Sequence, residues 1–194
     1  MKDTKDHILK TSLRLFLRKN YKEVTMQEIV RETGLSKGAF YHYFTGKEKL
    51  FEEVVRYFFE QSMMADYRLY PNDSLKGFYS AYLEQIRRNI ANHPDAPESN
   101  PFVFAVEAMR RLPNLREILA NQRKTEISFW KTAIKNAKSS GEIATALSDA
   151  DVANMFINLV DGILLHHALS QGDSEDTIHE LKKTYDHLFT LLVS

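Results

Sequence analysis

Residues 25–50 read TMQEIVRETGLSKGAFYHYFTGKEKL. The stretch holds three helix starts and one helix stop. Thr25 offers a hydroxyl as a cap, Glu28 completes a capping box, and Val24 and Ile29 flank them as a hydrophobic staple. Gly34 stops that helix, because glycine takes a positive φ without steric cost. Ser36 caps the next helix, with Leu35 and Phe40 as its staple, and Thr45 with Glu48 caps a third. Only Gly34 and Leu35 lie between the first helix and the second cap, so these two helices cross sharply, in the manner of a helix-turn-helix.

Working outward, Ile8, Leu9, Ser12, Leu15 and Phe16 recur at helical spacing, which predicts a helix over 4–19 that stops at Asn20. The Thr45 helix runs to about Asp66. Pro71-Asn72-Asp73 breaks the chain before a helix over 74–91, and 93–100, with two prolines, reads as a loop. Asn100-Pro101 is a cap followed by Pro at the first helical position, which opens a helix to Arg111. Pro113-Asn114 opens a long helix that Gly141 stops. Ser148 with Asp151 caps a helix to about Ser170, and Gly172-Asp173 separates it from a last helix ending near Val193. No stretch alternates as a strand does. The expected fold is all-α, about nine helices, with a three-helix head over 1–46 and a helical body over 47–194.

Composition narrows the function. The 194 residues are 43% hydrophobic and 27% charged, ordinary for a globular chain. No apolar run approaches the ~20 residues that span a bilayer, and no signal-peptide pattern opens the chain. Cysteine is absent, which excludes disulfides and thiolate chemistry and fits a cytoplasmic protein. The zero net charge hides an asymmetry. Residues 1–50 carry eleven Lys/Arg against six Asp/Glu, a formal +5, and residues 51–194 carry fifteen against twenty, a formal −5. A basic head on an acidic body points the head at a polyanion.

In a helix-turn-helix the second helix lies in the major groove, and here that helix is Ser36 to Tyr43. Its small residues Ser36, Gly38 and Ala39 allow close approach of the backbone, and helix N-terminal amides favour phosphate. Lys37 reaches for a guanine edge or a phosphate, Tyr41 and His42 donate to phosphates or base edges, and Phe40 and Phe44 belong to the core. Lys47 and Thr25, each at a helix start, hold phosphates and so set register rather than sequence preference.

Thr25, Ile29-Val30, the run Gly34 to Phe44, Lys47 and Leu50, preceded by Ile8, Leu15-Phe16 and Tyr21, closely resemble the DNA-binding domain of the TetR family of bacterial transcriptional regulators. The resemblance covers about the first quarter of the chain. Asn20 stands where that family usually has Gly, and Val30 where it usually has Ala. Gly141-Glu142-Ile143, Asp149 and Asp161-Gly162 are similar to a weaker late pattern of such proteins. The resemblance implies a homodimer on an inverted-repeat operator, usually a repressor, with a C-terminal domain that binds a small-molecule effector. It assigns DNA contact to Thr25, Ser36, Lys37, Gly38, Ala39, Tyr41, His42 and Lys47.

The body carries two further expectations. Ile178, Leu181, Tyr185, Leu188 and Leu192 step by three and four, as do Val152, Phe156, Leu159, Ile163 and His166, which is the spacing of a helix-packing seam. Two such helices predict a four-helix dimer interface built on Phe156, Leu159, Ile163, Ile178, Leu181, Tyr185, Leu188 and Leu192; the alternative is one internal bundle. The middle helices are rich in aromatics and Met, and Phe59, Met63, Tyr82, Phe104, Trp130 and His167 are the candidates for lining an apolar effector pocket. Neighbouring His166 and His167 diverge by about 100° on a helix and do not share a metal ion. The chain has no Gly-rich phosphate loop, HExxH or GxSxG, so neither catalysis nor a cofactor is expected. The remaining alternatives are a helical interaction adaptor and an activator on the same fold.

Overall fold

In the computed structural model, which describes residues 2–63, 66–92, 101–170 and 174–193, nine α-helices and one 3-10 turn account for the ordered elements among the described residues. The helices are α1 (Lys2–Arg18), α2 (Met26–Thr33), α3 (Lys37–Tyr43), α4 (Lys47–Met63), α5 (Leu75–Asn92), α6 (Pro101–Arg111), α7 (Leu115–Ser140), α8 (Asp149–Ser170) and α9 (Ser174–Val193), with the 3-10 turn at Tyr67–Leu69. No strand occurs among the described residues. The expected loop over 93–100, the Asn100 cap and the Gly172-Asp173 break lie outside the described residues.

Two compact units divide the chain. The first comprises Met1–Met64 and Asp95–Arg116, and the second Ala65–Pro94 and Glu117–Ser194. Helices α4 and α6 therefore belong with the helix-turn-helix. The core of this unit gathers Ile8, Phe16, Ile29, Phe40, Leu50 and Phe51 from α1 to α4, all but excluded from solvent. Phe104 of α6 joins them, with its ring 5.7 Å from Phe51 and 5.1 Å from Phe58.

In the second unit Trp130 of α7 is fully buried against Phe78 and Phe156, at 4.9 and 5.0 Å. Tyr185 of α9 meets Phe156 edge-on at 4.9 Å and donates its hydroxyl hydrogen to the Phe156 carbonyl at 2.7 Å, which satisfies a polar tip inside an apolar core. Helix α8 is the one helix, among the described residues, long and apolar enough by composition to cross a membrane. It buries Val152, Ala153, Phe156, Ile157 and Val160 in this core.

The sequence Gly141-Glu142-Ile143 acquires a structural reason. Gly141 ends α7 at φ 77°. The chain then turns so that Ile143 enters the core and the Glu142 carboxylate reaches the start of α5. There it accepts from the Leu75 amide at 2.7 Å, the Lys76 amide at 3.0 Å and the Ser74 hydroxyl at 2.9 Å. Ser74 in turn caps the Gly77 amide at 3.1 Å. The first amides of a helix lack partners within it, and a residue 67 positions away supplies them here.

Candidate nucleic-acid interface

The geometry of α2 and α3 follows from their caps. Thr25, in extended conformation, accepts from the Glu28 amide at 3.1 Å. The Glu28 carboxylate receives Lys19 Nζ at 2.6 Å and the Thr25 amide, and these bonds hold it below the usual carboxylate range. Gly34 closes α2 at φ 67°. Ser36 accepts from the Ala39 amide at 3.2 Å and opens α3. Asn20, expected as a helix stop, acts through its side chain, which accepts from the Lys22 and Glu23 amides. Helix α4 opens one residue later than the Thr45 cap predicts, with the Gly46 carbonyl accepting from Leu50.

Two faces result. Ile29, Phe40 and Phe44 are sealed in the core, as expected. Thr25, Ser36, Lys37, Gly38, Ala39 and His42 are exposed, and Tyr41 and Lys47 are half-buried. A Cβ placed at Gly38 would meet nothing within 4 Å, and its φ is not positive. Nothing inside the protein requires glycine there, so the small residue serves the outer surface of α3.

Lys47 sits differently from a free surface lysine. Its Nζ lies 4.3 Å from the centroid of the Tyr21 ring, and the Arg111 guanidinium lies 3.6 Å from the same centroid. Tyr21 is anchored by a stack on Phe16 at 6.0 Å and an edge contact with Phe51 at 4.8 Å. Burial, and then the Arg111 charge, depress the Lys47 pKa. Two cations held on one ring concentrate positive charge at the start of α4. Arg111 gave no local signal in the sequence, since it stands far along the chain from both Tyr21 and Lys47.

The six effector-pocket candidates divide between the units. Phe59 and Phe104 are buried in the first, where Phe104 also lines a small cavity of about 100 Å³ with Phe16, Tyr21 and Phe51. Tyr82, Trp130 and His167 belong to the second. Tyr82 meets Trp130 edge-on at 5.3 Å. His167 bonds Glu180 through Nε2 at 2.7 Å, and the ring of exposed His166 stands 6.0 Å away. The Met63 side chain lies outside the described residues. Glu126 lies on the buried side of α7, where it accepts from Tyr82 and Tyr67. Its position between Gln122 and Trp130, four residues from each, was the available signal.

The seam residues also have definite places. Phe156, Leu181, Tyr185, Leu188 and Leu192 are buried in the second unit's own core, while Leu159, Ile163 and Ile178 are half-buried. The apolar residues that α8 exposes are Met155, Leu165 and Leu169, the last at 72%.

Comparison with known proteins places this geometry in context. The family model described as bacterial regulatory proteins, tetR family, matches residues 8–54. The chain is 24% identical over 170 residues to an uncharacterized HTH-type transcriptional regulator, YfiR of Bacillus subtilis, covering 84% of this chain and 82% of that one. It is 24% identical over 160 residues to the HTH-type transcriptional repressor KstR2 of Mycolicibacterium smegmatis, covering 79% and 73%. Its fold is similar to the crystal structure of a TetR transcription regulator from Haloarcula marismortui, with a TM-score of 0.72 at 17% identity over 99% of each chain.

Proposed function

Since the chain belongs to the TetR family of bacterial regulatory proteins and is a DNA-binding transcriptional regulator, we propose that it acts as a homodimeric repressor released from its operator by a small-molecule effector. The observation that carries the reading is the exposed face of Thr25, Ser36, Lys37, Gly38, Ala39, Tyr41 and His42 on capped helices, beside the paired cations Lys47 and Arg111. Residues 1–46 form the reading head, and the effector and dimerisation functions of the body, 47–194, belong to the part of it that lies in the second unit.

In this reading α3 enters the major groove, and two heads about one DNA turn apart, ~34 Å, take the half-sites of a palindrome. Lys47 and Thr25 hold phosphates, while Lys37, Tyr41 and His42 face base edges. The dimer forms through the outward side of α8, where Met155, Leu165 and Leu169 are exposed, together with α9. The inward residues of the predicted seam, Phe156, Leu181 and Tyr185, stiffen the two helices that carry this face. An effector acts by binding better to the state whose heads are misaligned, and its leverage equals that differential affinity.

Selection of bound DNA from a random pool, followed by anisotropy titration of the selected duplex, tests the reading. The expected outcome is an inverted repeat bound with a steep inverse dependence on salt. Binding that ignores salt, or a selected sequence without symmetry, counts against it. Sedimentation should give a dimer at micromolar concentration, and a stable monomer there removes the dimeric part.

A further inference from the structure

The second unit has a polar interior that the helix-turn-helix does not use. Gln122, Glu126 and Trp130 recur every four residues and share one face of α7. The Glu126 side chain is only 14% exposed. Its Oε1 accepts from the Tyr82 hydroxyl at 2.8 Å and the Tyr67 hydroxyl at 3.1 Å. Tyr67 stacks on Tyr82 at 6.3 Å and on Phe129 at 5.5 Å, and meets Tyr70 edge-on at 5.4 Å. A carboxylate thus sits among aromatic rings. Burial pushes its pKa up, and burial with the Glu126 charge pushes Tyr70 up to about 12.

The charges do not close. Arg123 is the cation nearest Glu126 among the described residues, yet its Nη1 is 3.6 Å from Oε2, beyond a hydrogen bond. Arg123 instead bonds Asp161 at 3.0 Å and Asn158 at 2.5 Å. Two carboxylates share one guanidinium, which leaves a formal −1. At the rim, Arg68 is occupied by Asp66 at 2.7 Å, and Glu84 is shared by Arg87 at 2.8 Å and Arg88 at 3.1 Å; the excess guanidinium there is well exposed and screened by solvent, and it does not bond Glu126. A second observation points the same way. The Tyr70 hydroxyl, Gln122 Oε1 and Trp130 Nε1 are buried without hydrogen-bond partners, and Trp130 is fully buried. Interiors seldom leave such groups bare, and here three accompany one under-neutralised carboxylate.

We propose that the Glu126 cluster is the effector site and that the effector is an organic cation, a protonated or quaternary amine on an aromatic body. This rests on the ligand-responsive reading above and deepens it. The cation neutralises Glu126 and is surrounded by the aromatic cluster of Tyr67, Tyr70, Tyr82 and Phe129, residue types that recognise ammonium groups. The Gln122 carbonyl accepts an ammonium N–H where there is one. The Trp130 N–H and the Tyr70 hydroxyl serve an acceptor on the body. An anion would meet an uncompensated carboxylate at close range and is rejected.

Trp130 is the only tryptophan in the chain, so its emission reports this site directly. Four probes share a benzyl body: benzyltrimethylammonium, protonated benzylamine, neutral benzyl alcohol and phenylmethanesulfonate. Titrated into the full-length protein at constant ionic strength, the two cations should shift Trp130 emission saturably. The neutral and anionic probes should bind at least tenfold more weakly. Glu126→Gln should reduce the ratio of cation to benzyl alcohol affinity by at least tenfold. Equal binding of all four headgroups, no binding of either cation, or cation binding indifferent to Glu126→Gln would each overturn the proposal. The headgroup series on the unaltered protein decides the matter even where the variant folds poorly. Operator affinity in the same samples separates the two readings. Cations that bind at Trp130 without releasing DNA sustain the site and refute ligand-responsive release. Release by benzyl alcohol or phenylmethanesulfonate sustains the response and refutes the cation class.

Discussion

Replacing Glu142 with Ala withdraws three hydrogen bonds from the start of α5 at once, those from the Leu75 amide, the Lys76 amide and the Ser74 hydroxyl. The losses are unequal. Lys76 is exposed and water can serve its amide, whereas Leu75 is fully buried and its amide is part-buried. Stranding such a donor costs about 1–3 kcal/mol. Removing a negative charge from a helix N-terminus adds about 0.3–1 kcal/mol. Ser74 still caps Gly77, so the helix keeps one of its own caps. The expected loss is roughly 2–3 kcal/mol, below the sum of three independent bonds because one carboxylate makes them all. Urea unfolding followed through Trp130 measures it, since Trp130 packs on Phe78 of α5 at 4.9 Å. Glu142→Gln keeps an acceptor and should lose about half as much. A loss below about 0.5 kcal/mol for Glu142→Ala, which is the range of ordinary surface substitutions, would refute the argument, as would equal losses for Ala and Gln.

Lys47→Ala should weaken binding to all DNA sequences by a similar factor and reduce the slope of log affinity against log salt by ~0.9; a changed base preference with an unchanged slope would remove its phosphate role. Gly34→Ala meets no atom within 4 Å, so its cost is the strain of φ 67° alone, about 1 kcal/mol in a denaturant titration. The raised Glu126 pKa means that the folded state holds this proton more tightly than the unfolded chain. Its contribution to stability is therefore greatest below 4.5 and declines as pH rises from there through the folded pKa. Glu126→Gln removes that decline, so the stability difference between variant and parent should grow in the variant's favour across this window. Parallel pH profiles for the two proteins would contradict the burial of a charged Glu126.

Tyr21 gives the first unit a feature beyond the exposed face of α2 and α3. The ring carries Lys47 from the start of α4 and Arg111 from the end of α6. Arg111 is held in place by Glu107 at 2.5 Å. The chain enters the segment containing α6 from the second unit at Asp95 and returns to it after Arg116. The charge beside Lys47 therefore belongs to a segment joined at both ends to the second unit. Screening weakens this influence with distance, but the two cations rest on one ring, 4.3 and 3.6 Å from its centroid, within the Debye length of ~8 Å at physiological salt.

What was legible in the sequence follows from the range of the forces involved. Thr25, Gly34 and Ser36 act on groups within three residues, so the head could be read from spacing, and the buried set Ile29, Phe40 and Phe44 with it. The three-four spacing of α9 marks a packing stripe, but periodicity specifies that a face is covered and not which helix covers it. Leu181 and Tyr185 are spent within the unit's own core, and Tyr185 is pinned to the Phe156 carbonyl. The contacts of Glu142 with Leu75 and Lys76 and of Arg111 with Tyr21 were invisible because they join residues 66 or more positions apart, and no local pattern encodes a contact of that range. Glu126 was hidden for another reason. An acid on a helix normally belongs to the solvated face, because burying its charge is costly unless partners accept it. Here two tyrosine hydroxyls donate to the carboxylate and offset that cost in part, and the remaining imbalance is the physical ground for expecting a cation from outside the chain.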